Sequence, residues 1–336
     1  MDANVRWGIL GTGKIARAFA EALRHTPGAV LAGVASRDGA SSAAFAAEFG
    51  TAHANTVAYT GYQGLADADG IDLVYIATPH PMHAENALMA LHAGKGVLCE
   101  KAFTVNRREA EQVVALARAK GLFLMEAMWT RFMPALAAVR SVIAEGRIGT
   151  PTHLTADFGF HASFGAEHRV FNRALGGGAL LDLGIYPLSI AASLLGPVQA
   201  VSALADMGPT GVDLQTAFTL RHAGGAISAC ACSLRARTPC ELTVSGELGQ
   251  VRMNTRFHRA TSIRVTLADG SSSTLATPYL GNGYVHEIVE AQRCWRAGLI
   301  ESPHMTHADT LALMGVMDAI RGQIGLRYEA DDLPEA

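Results

Sequence analysis

At 336 residues the chain is too long for one ordinary core, so two domains are the default expectation. Hydrophobic residues make up 49% and charged residues 17%, which excludes disorder and fits a compact enzyme-like chain. A net charge of -3 without any basic block argues against nucleic acid or an anionic membrane surface as a partner.

The start, MDANVRWGIL, lacks a basic-then-apolar leader, and no apolar run is expected to reach the ~18 residues of a membrane span. In chain order, Val5–Leu10 is predicted as a strand and Lys14–His25 as a helix with Ile15, Phe19, Ala20 and Leu23 on one face. Ala29–Ser36 follows as a strand and the alanine-rich Ser41–Phe49 as a helix capped by Asp38. Ile71–Thr78 is a nearly continuous apolar strand, the pattern of a parallel sheet covered on both faces. His83–Ala93, Gly96–Glu100, Arg107–Lys120 and Leu122–Glu126 continue as helix, strand, helix and strand. This rhythm predicts a doubly wound α/β domain of Rossmann type over residues 1–126.

The rhythm changes in residues 127–336, which are expected to form a C-terminal α+β domain with a large open, mostly antiparallel sheet. A helix over Arg131–Glu145 and a glycine-rich helical segment precede strands at Val198–Ala205, Leu214–His222, Ala226–Leu234, Cys240–Ser245 and Ser262–Ala268. Cys230 and Cys232 point the same way on one of these strands and read as core residues. The five cysteines show no CxxC pair, and a reducing cytoplasm is the expected compartment. Ser271–Thr274 is read as a loop after the turn Asp269-Gly270, and helices over His286–Arg296 and Ala308–Ile324 close the chain.

The first chemical motif, Gly11-Thr12-Gly13-Lys14-Ile15-Ala16, follows the first strand and opens the first helix. Gly11 suits the tight turn, Gly13 lets a pyrophosphate approach the backbone, and the helix amino terminus faces the phosphates. Strand two then decides between dinucleotides. Ser36 stands where an NAD site carries an acid, and Arg37 follows it; a carboxylate repels a 2′-phosphate, whereas a hydroxyl and a guanidinium favour one. NADP is therefore the expected cofactor.

Thr78, Pro79, His80 and His83 lie at the carboxyl end of the Ile71–Thr78 strand, where open α/β sheets gather their ligands. The HxxH spacing lacks a third ligand, so no metal is expected there. His304 and His307 share that spacing and are explained by capping and surface exposure. Glu100 and Lys101 end the next strand; a lysine there either snorkels to solvent or serves the site.

Taken together, Gly11–Ala16, Thr78–His83, Glu100-Lys101 and the Asp182/Tyr186 segment resemble the glucose–fructose oxidoreductase and inositol dehydrogenase (GFO/IDH/MocA) family over nearly the whole chain. The stretches TPHPMH (78–83), LMEAMWTRFMP (124–134) and LGGGALLDLGIYP (175–187) look like its dihydrodiol and NADP-dependent D-xylose dehydrogenase subgroup. Ala102 departs from the family's Glu-Lys-Pro motif, which puts the local loop geometry in question. The resemblance implies Lys101 and Tyr186 as the catalytic pair with Asp182 beside them, a sugar or cyclic diol as substrate, and a homodimer. Asp182 and Tyr186 are four apart, so a helical turn puts them on one face, although Pro187 disfavours helical geometry at Tyr186. Gly176–Gly178 is expected to let that turn approach the nicotinamide.

On this reading Tyr186 moves the hydroxyl proton of the substrate. A free phenol, of pKa about 10, is a scarce base at neutral pH. An ammonium at ~4 Å favours the phenolate by ~4 kcal/mol at an effective dielectric of ~20, which is about three pKa units. Lys101 is assigned that charge, and Asp182 orients Lys101 or a substrate hydroxyl. Trp129, Arg131, Phe158 and Phe160 are candidates for the substrate pocket, with packing as the alternative for the aromatic residues. A core tyrosine paired to Asp182 is the alternative for Tyr186. Two other functions remain open: an NADP-dependent aldose 1-dehydrogenase with a different pocket shape, and a non-catalytic NADP-binding regulator, which need not keep the lysine–tyrosine pair.

Overall fold

The computed structural model describes residues 4–50 and 56–332, and residues 1–3, the start of the stretch read for a leader, lie outside it. The chain divides into two compact units. The first contains β1 (Val5–Leu10), α1 (Lys14–Arg24), β2 (Ala29–Ser36), α2 (Gly39–Phe49), β3 (Val57–Thr60), α3 (Gln63–Ala66), β4 (Leu73–Ile76), α4 (His83–His92), β5 (Gly96–Glu100), most of α5 (Arg107–Lys120) and β6 (Leu124–Ala127). Its six strands are parallel in the order β3-β2-β1-β4-β5-β6. The order reverses between β1 and β4, the position at which such sheets open a crevice at their carboxyl ends. All of β4 and β5 is buried, as the unbroken apolar runs require. Asp38 caps α2 as expected, accepting from the amides of Ala40 at 3.2 Å and Ser41 at 3.1 Å.

The second unit holds α6 (Pro134–Ala144), β7 (Pro151–Gly159), α7 (Ile185–Leu195), β8 (Val198–Met207), β9 (Asp213–His222), β10 (Ile227–Ser233), β11 (Leu242–Gly246), β12 (Gly249–Met253), β13 (Ser262–Leu267) and β14 (Ser272–Ala276). These strands form an eight-stranded sheet, order β14-β13-β12-β11-β7-β10-β9-β8, in which only β7 and β10 run parallel among the described residues. The expected open, mostly antiparallel sheet is present. Cys230 and Cys232 are buried on one face of β10, while Ile227 on the other face is exposed.

Three expectations need correction. Ser271–Thr274 is not simply a loop: Ser272–Ala276 is the edge strand β14, and pairing with β13 supplies what serine's weak strand preference does not. One helical run, Arg173–Leu195, is long and apolar enough to cross a membrane, but 83% of its apolar window is buried inside the protein. Its one carboxylate, Asp182, is too little charge to offset so many apolar neighbours. Finally, Leu280–Leu311 belongs to the first unit rather than to the C-terminal domain. The helix α8 (Val285–Arg296) in this segment buries Val285, Ile288, Ala291 and Cys294. The segment is tied down when Asn282 Nδ2 donates to Ala18 O at 2.7 Å and Gln292 Nε2 to Pro27 O at 3.3 Å. These partners lie far away in sequence, so helical periodicity alone does not reveal them. The last helix, α9 (His307–Ile324), begins in the first unit and ends in the second.

Candidate active site

The turn after β1 is built for an anion. Gly11 has φ +104, and a Cβ there lies 2.8 Å from the Ala77 carbonyl oxygen, so any side chain collides with the neighbouring strand end. At Gly13, by contrast, a Cβ meets nothing within 4 Å. Gly13 also begins α1 without a side-chain cap or an acidic residue in the first turn. The amides of Lys14, Ile15 and Ala16 therefore point their donors and the positive end of the helix dipole past an open glycine. This cradle fits a dinucleotide pyrophosphate, and Thr12 lies within the turn.

At the end of β2, Ser36 Oγ accepts from the Asp38 amide at 3.3 Å, and Arg37 is exposed. Arg37 hydrogen-bonds the Tyr62 phenol, whose pKa burial raises against the pull of that guanidinium. Tyr62 thus stands as a polar neighbour of Arg37 at the end of β2. Only the fold brings it there, because it sits beyond β3 and carries no local motif.

The loops after β4 and β5 are tied together. His83 is buried, with Nε2 2.8 Å from Thr78 O and Nδ1 3.0 Å from Ala102 O, and burial holds its pKa below the usual histidine value. His80 Nε2 lies 3.2 Å from Lys101 O, and Asn86 donates to Thr78 Oγ1 at 3.1 Å. Pro79 precedes the short helical turn His80–Met82 that sets both rings. Both ring nitrogens of His83 are thus engaged by the backbone, and the HxxH pair holds two loops. Among the described residues no group of three or more His, Cys, Asp or Glu side chains is placed to hold a metal ion. Surface exposure does not explain His307. It is 2% exposed, with Nε2 3.0 Å from Leu124 O and Nδ1 accepting from Arg118 Nε at 3.3 Å. A neutral ring protonated on Nε2 satisfies both contacts, and burial lowers its pKa in that sense.

Lys101 leaves β5 half-buried, its amide donating to Glu100 Oε2 at 3.2 Å, and the Lys101–Ala102 peptide bond is cis. The Tyr75 hydroxyl donates to Glu100. Nearby, Glu287 is fully buried, and burial together with the charge of Glu100 pushes its pKa well up. Trp129 is also buried here, its ring 4.7 Å from that of Tyr284.

In the second unit, Asp182 lies in a π-helical turn, Leu180–Gly184, and Tyr186 in the first turn of α7. The backbone is helical at Tyr186 despite Pro187, and α7 continues directly from the wider π-helical turn before it. Both side chains are mostly buried; Asp182 accepts from Arg169 Nη1 at 3.2 Å. Tyr186 has the Phe158 ring 5.4 Å away, and Phe158 in turn stacks on His258 at 4.5 Å. Burial depresses the His258 pKa to about 4, so this wall is uncharged at neutral pH. Phe160 packs with Phe158 on a cluster that includes Ala179, Leu183 and Cys232. Arg131 is buried and donates from Nε to Ser189 Oγ at 2.9 Å, which fixes α7. The glycine run is also required by the chain's own packing. A Cβ on Gly177 lies 2.7 Å from Arg169 O, and one on Gly178 lies 2.4 Å from Asp213 Oδ1. The chain's own atoms demand these glycines.

Comparison with known proteins gives concordant matches. Residues 5–128 match the model of an oxidoreductase family with an NAD-binding Rossmann fold, and residues 136–252 match the GFO/IDH/MocA C-terminal domain. The chain is similar to trans-1,2-dihydrobenzene-1,2-diol dehydrogenase of Danio rerio, 35% identical over 97% of this chain and 99% of the relative. It is also similar to D-xylose 1-dehydrogenase (NADP(+)) of Hypocrea jecorina, 34% identical over 97% of this chain and 93% of that one. Among solved structures, KijD10, a 3-ketoreductase from Actinomadura kijaniata in complex with NADP and TDP-benzene, superposes with a TM-score of 0.85 at 27% identity, covering 96% and 98% of the two chains.

Proposed function

The chain belongs to the GFO/IDH/MocA oxidoreductase family, and on that premise we propose that it is an NADP-dependent dehydrogenase acting on CH–OH groups of cyclic trans-diols or sugars. The observation that carries the proposal is one chain holding both an uncapped helix amino terminus over an open glycine and a buried phenol at an aromatic wall. Gly11–Ile15 would hold the pyrophosphate, Ser36, Arg37 and Tyr62 the 2′-phosphate, and Thr78–His83 with Glu100 and Lys101 the strand-end side of the cofactor. When bound, NADP supplies or accepts the hydride. Tyr186 removes the substrate hydroxyl proton in oxidation and returns it in reduction. Lys101 stabilises the phenolate and the developing alkoxide, and Asp182 orients the polar groups around it. Phe158, beside Tyr186, offers a face on which a sugar or diol ring packs. An aldose 1-dehydrogenase is the second reading, favoured by the similarity to the Hypocrea jecorina enzyme. A dehydrogenase screen over aldoses and cyclic trans-diols distinguishes the two, and no turnover with either class would remove both.

NADP is expected to bind more tightly than NAD. A charge-assisted contact from Arg37 contributes about 1.5–3 kcal/mol, roughly ten- to a hundredfold in affinity. Arg37→Ala should lose that factor for NADP and leave NAD binding as it was, read by fluorescence quenching. Equal dissociation constants for the two cofactors in the wild type would refute this assignment.

A homodimer is the second part of the proposal, formed through the open face of the eight-stranded sheet. That face carries Leu204, 81% exposed, together with Ile227 and the small side chains of Ala217, Ala229 and Ala231. The same face also carries Thr155, Thr219 and Arg252, and burying its exposed apolar side chains against a second copy of the chain removes their cost in water. Sedimentation should show a dimer for the wild type and a monomer for Leu204→Glu; a wild-type monomer at micromolar concentration would refute it. A cytoplasmic location completes the proposal, and the five cysteines, all free, fit a reducing compartment.

A further inference from the structure

The segment carrying Asp182 and Tyr186 begins at a buried anchor. Gly178 has φ +122, and its missing side chain makes room for the carboxylate of Asp213, at the start of β9. Asp213 is fully buried. Its Oδ2 accepts from the Leu180 amide at 2.8 Å and from Thr216 Oγ1 at 2.6 Å, and the Ala179 amide faces the same carboxylate. A remote carboxylate therefore does for the Leu180–Gly184 turn what a local N-cap does for an ordinary helix. A second anchor lies one residue earlier. Tyr328 donates its hydroxyl to Gly177 O at 2.6 Å, and the Arg321 guanidinium lies 5.4 Å from the Tyr328 ring. Arg321 is itself held by Asp318 at 2.6 Å and by Asp331 at 2.5 Å. Gly177 and Gly178 are thus pinned from two sides, immediately before the residues assigned to chemistry.

We propose that Asp213 is a positioning residue for Tyr186: its hydrogen bonds to the start of the Leu180–Gly184 turn set the place of the phenol along that helical run, with Tyr328 as the second pin. The inference rests on the assignment of proton transfer to Tyr186. The physical reason is that proton transfer demands close placement, and a displacement of about 1 Å can cost about a hundredfold in rate. Burial pushes the Asp213 pKa up, and its hydrogen bonds offset that only in part.

Asp213→Ala, Asp213→Asn and Tyr186→Phe decide the matter, assayed with NADP and whichever aldose or trans-diol the wild type turns over fastest. Asp213→Ala is expected to keep the NADP dissociation constant and to hold KM within about threefold, while kcat falls about ten- to a hundredfold. Its solvent deuterium isotope effect on kcat should rise, because proton transfer becomes slower relative to other steps. Asp213→Asn retains one acceptor oxygen and should restore most of kcat. A folded Asp213→Ala enzyme with wild-type kcat, or with a reduced kcat and an unchanged isotope effect, overturns the inference. If Asp213→Ala does not fold, Tyr328→Phe takes its place, since it keeps the ring and loses only the bond to Gly177; a fall of about three- to tenfold in kcat is expected, and a wild-type kcat overturns the proposal. Full turnover by Tyr186→Phe would instead remove the assignment on which the inference rests.

Discussion

Replacing Tyr186 by phenylalanine is expected to leave NADP binding unchanged and to reduce kcat by about 10²–10⁴. The ring sits 7% exposed with Phe158 at 5.4 Å, so phenylalanine fills the same space and keeps the same aromatic contact. What is lost is the hydroxyl alone. If that hydroxyl carries the substrate proton, the chemical step loses its acid–base partner while the cofactor cradle at Gly11–Ile15, in the other unit, is untouched. A tyrosine kept only for packing gives the opposite pattern: a shifted melting temperature and nearly intact turnover. Measuring kcat and the NADP dissociation constant on one preparation separates the two.

Lys101→Ala is expected to lose turnover to a similar degree, and the losses in Lys101→Ala and Tyr186→Phe should not add. Groups that act on one proton transfer behave as a unit, so a double variant should be little worse than the worse single variant. Lys101 follows β5 in a backbone frame fixed by His80 and by Glu100, and truncating its side chain leaves those backbone contacts in place. Arginine should not substitute well, because a planar guanidinium does not reproduce a compact ammonium point charge. Independent, additive losses would show that the two residues serve separate steps.

Local physics made half of this molecule legible in its sequence. The strand–glycine–helix start, the Asp38 cap and the buried strands β4 and β5 each depend on residues close together in the chain, and each is present in the fold. Strands β7 and β12 gave no such sign. β7 begins with proline, and in it only Leu154, Ala156 and Gly159 are buried, so its pattern is too thin to read without its partner β10. β12 opens on a glycine and is held between β11 and β13. The site shows the same division. Gly13, Arg37, Lys101 and Tyr186 stand in recognisable motifs, whereas Tyr62 beside Arg37 and Asp213 beneath Gly178 are brought there by long-range folding. The glycine run Gly176–Gly178 was noticeable in the sequence, but the crowding of Gly177 and Gly178 by Arg169, Asn172 and Asp213 was not.

The most direct measurement of the proposed function is the initial rate of NADPH formation when the wild-type protein, NADP and a panel of aldoses and cyclic trans-diols are mixed, with NAD in parallel. The expected result is substrate-dependent reduction of NADP, faster than that of NAD at equal concentration and lowered by about 10²–10⁴ in the Lys101→Ala, Tyr186→Phe double variant. NADP bound tightly but never reduced by any alcohol in the panel would contradict the dehydrogenase, and turnover close to the wild-type rate in the double variant would contradict its mechanism.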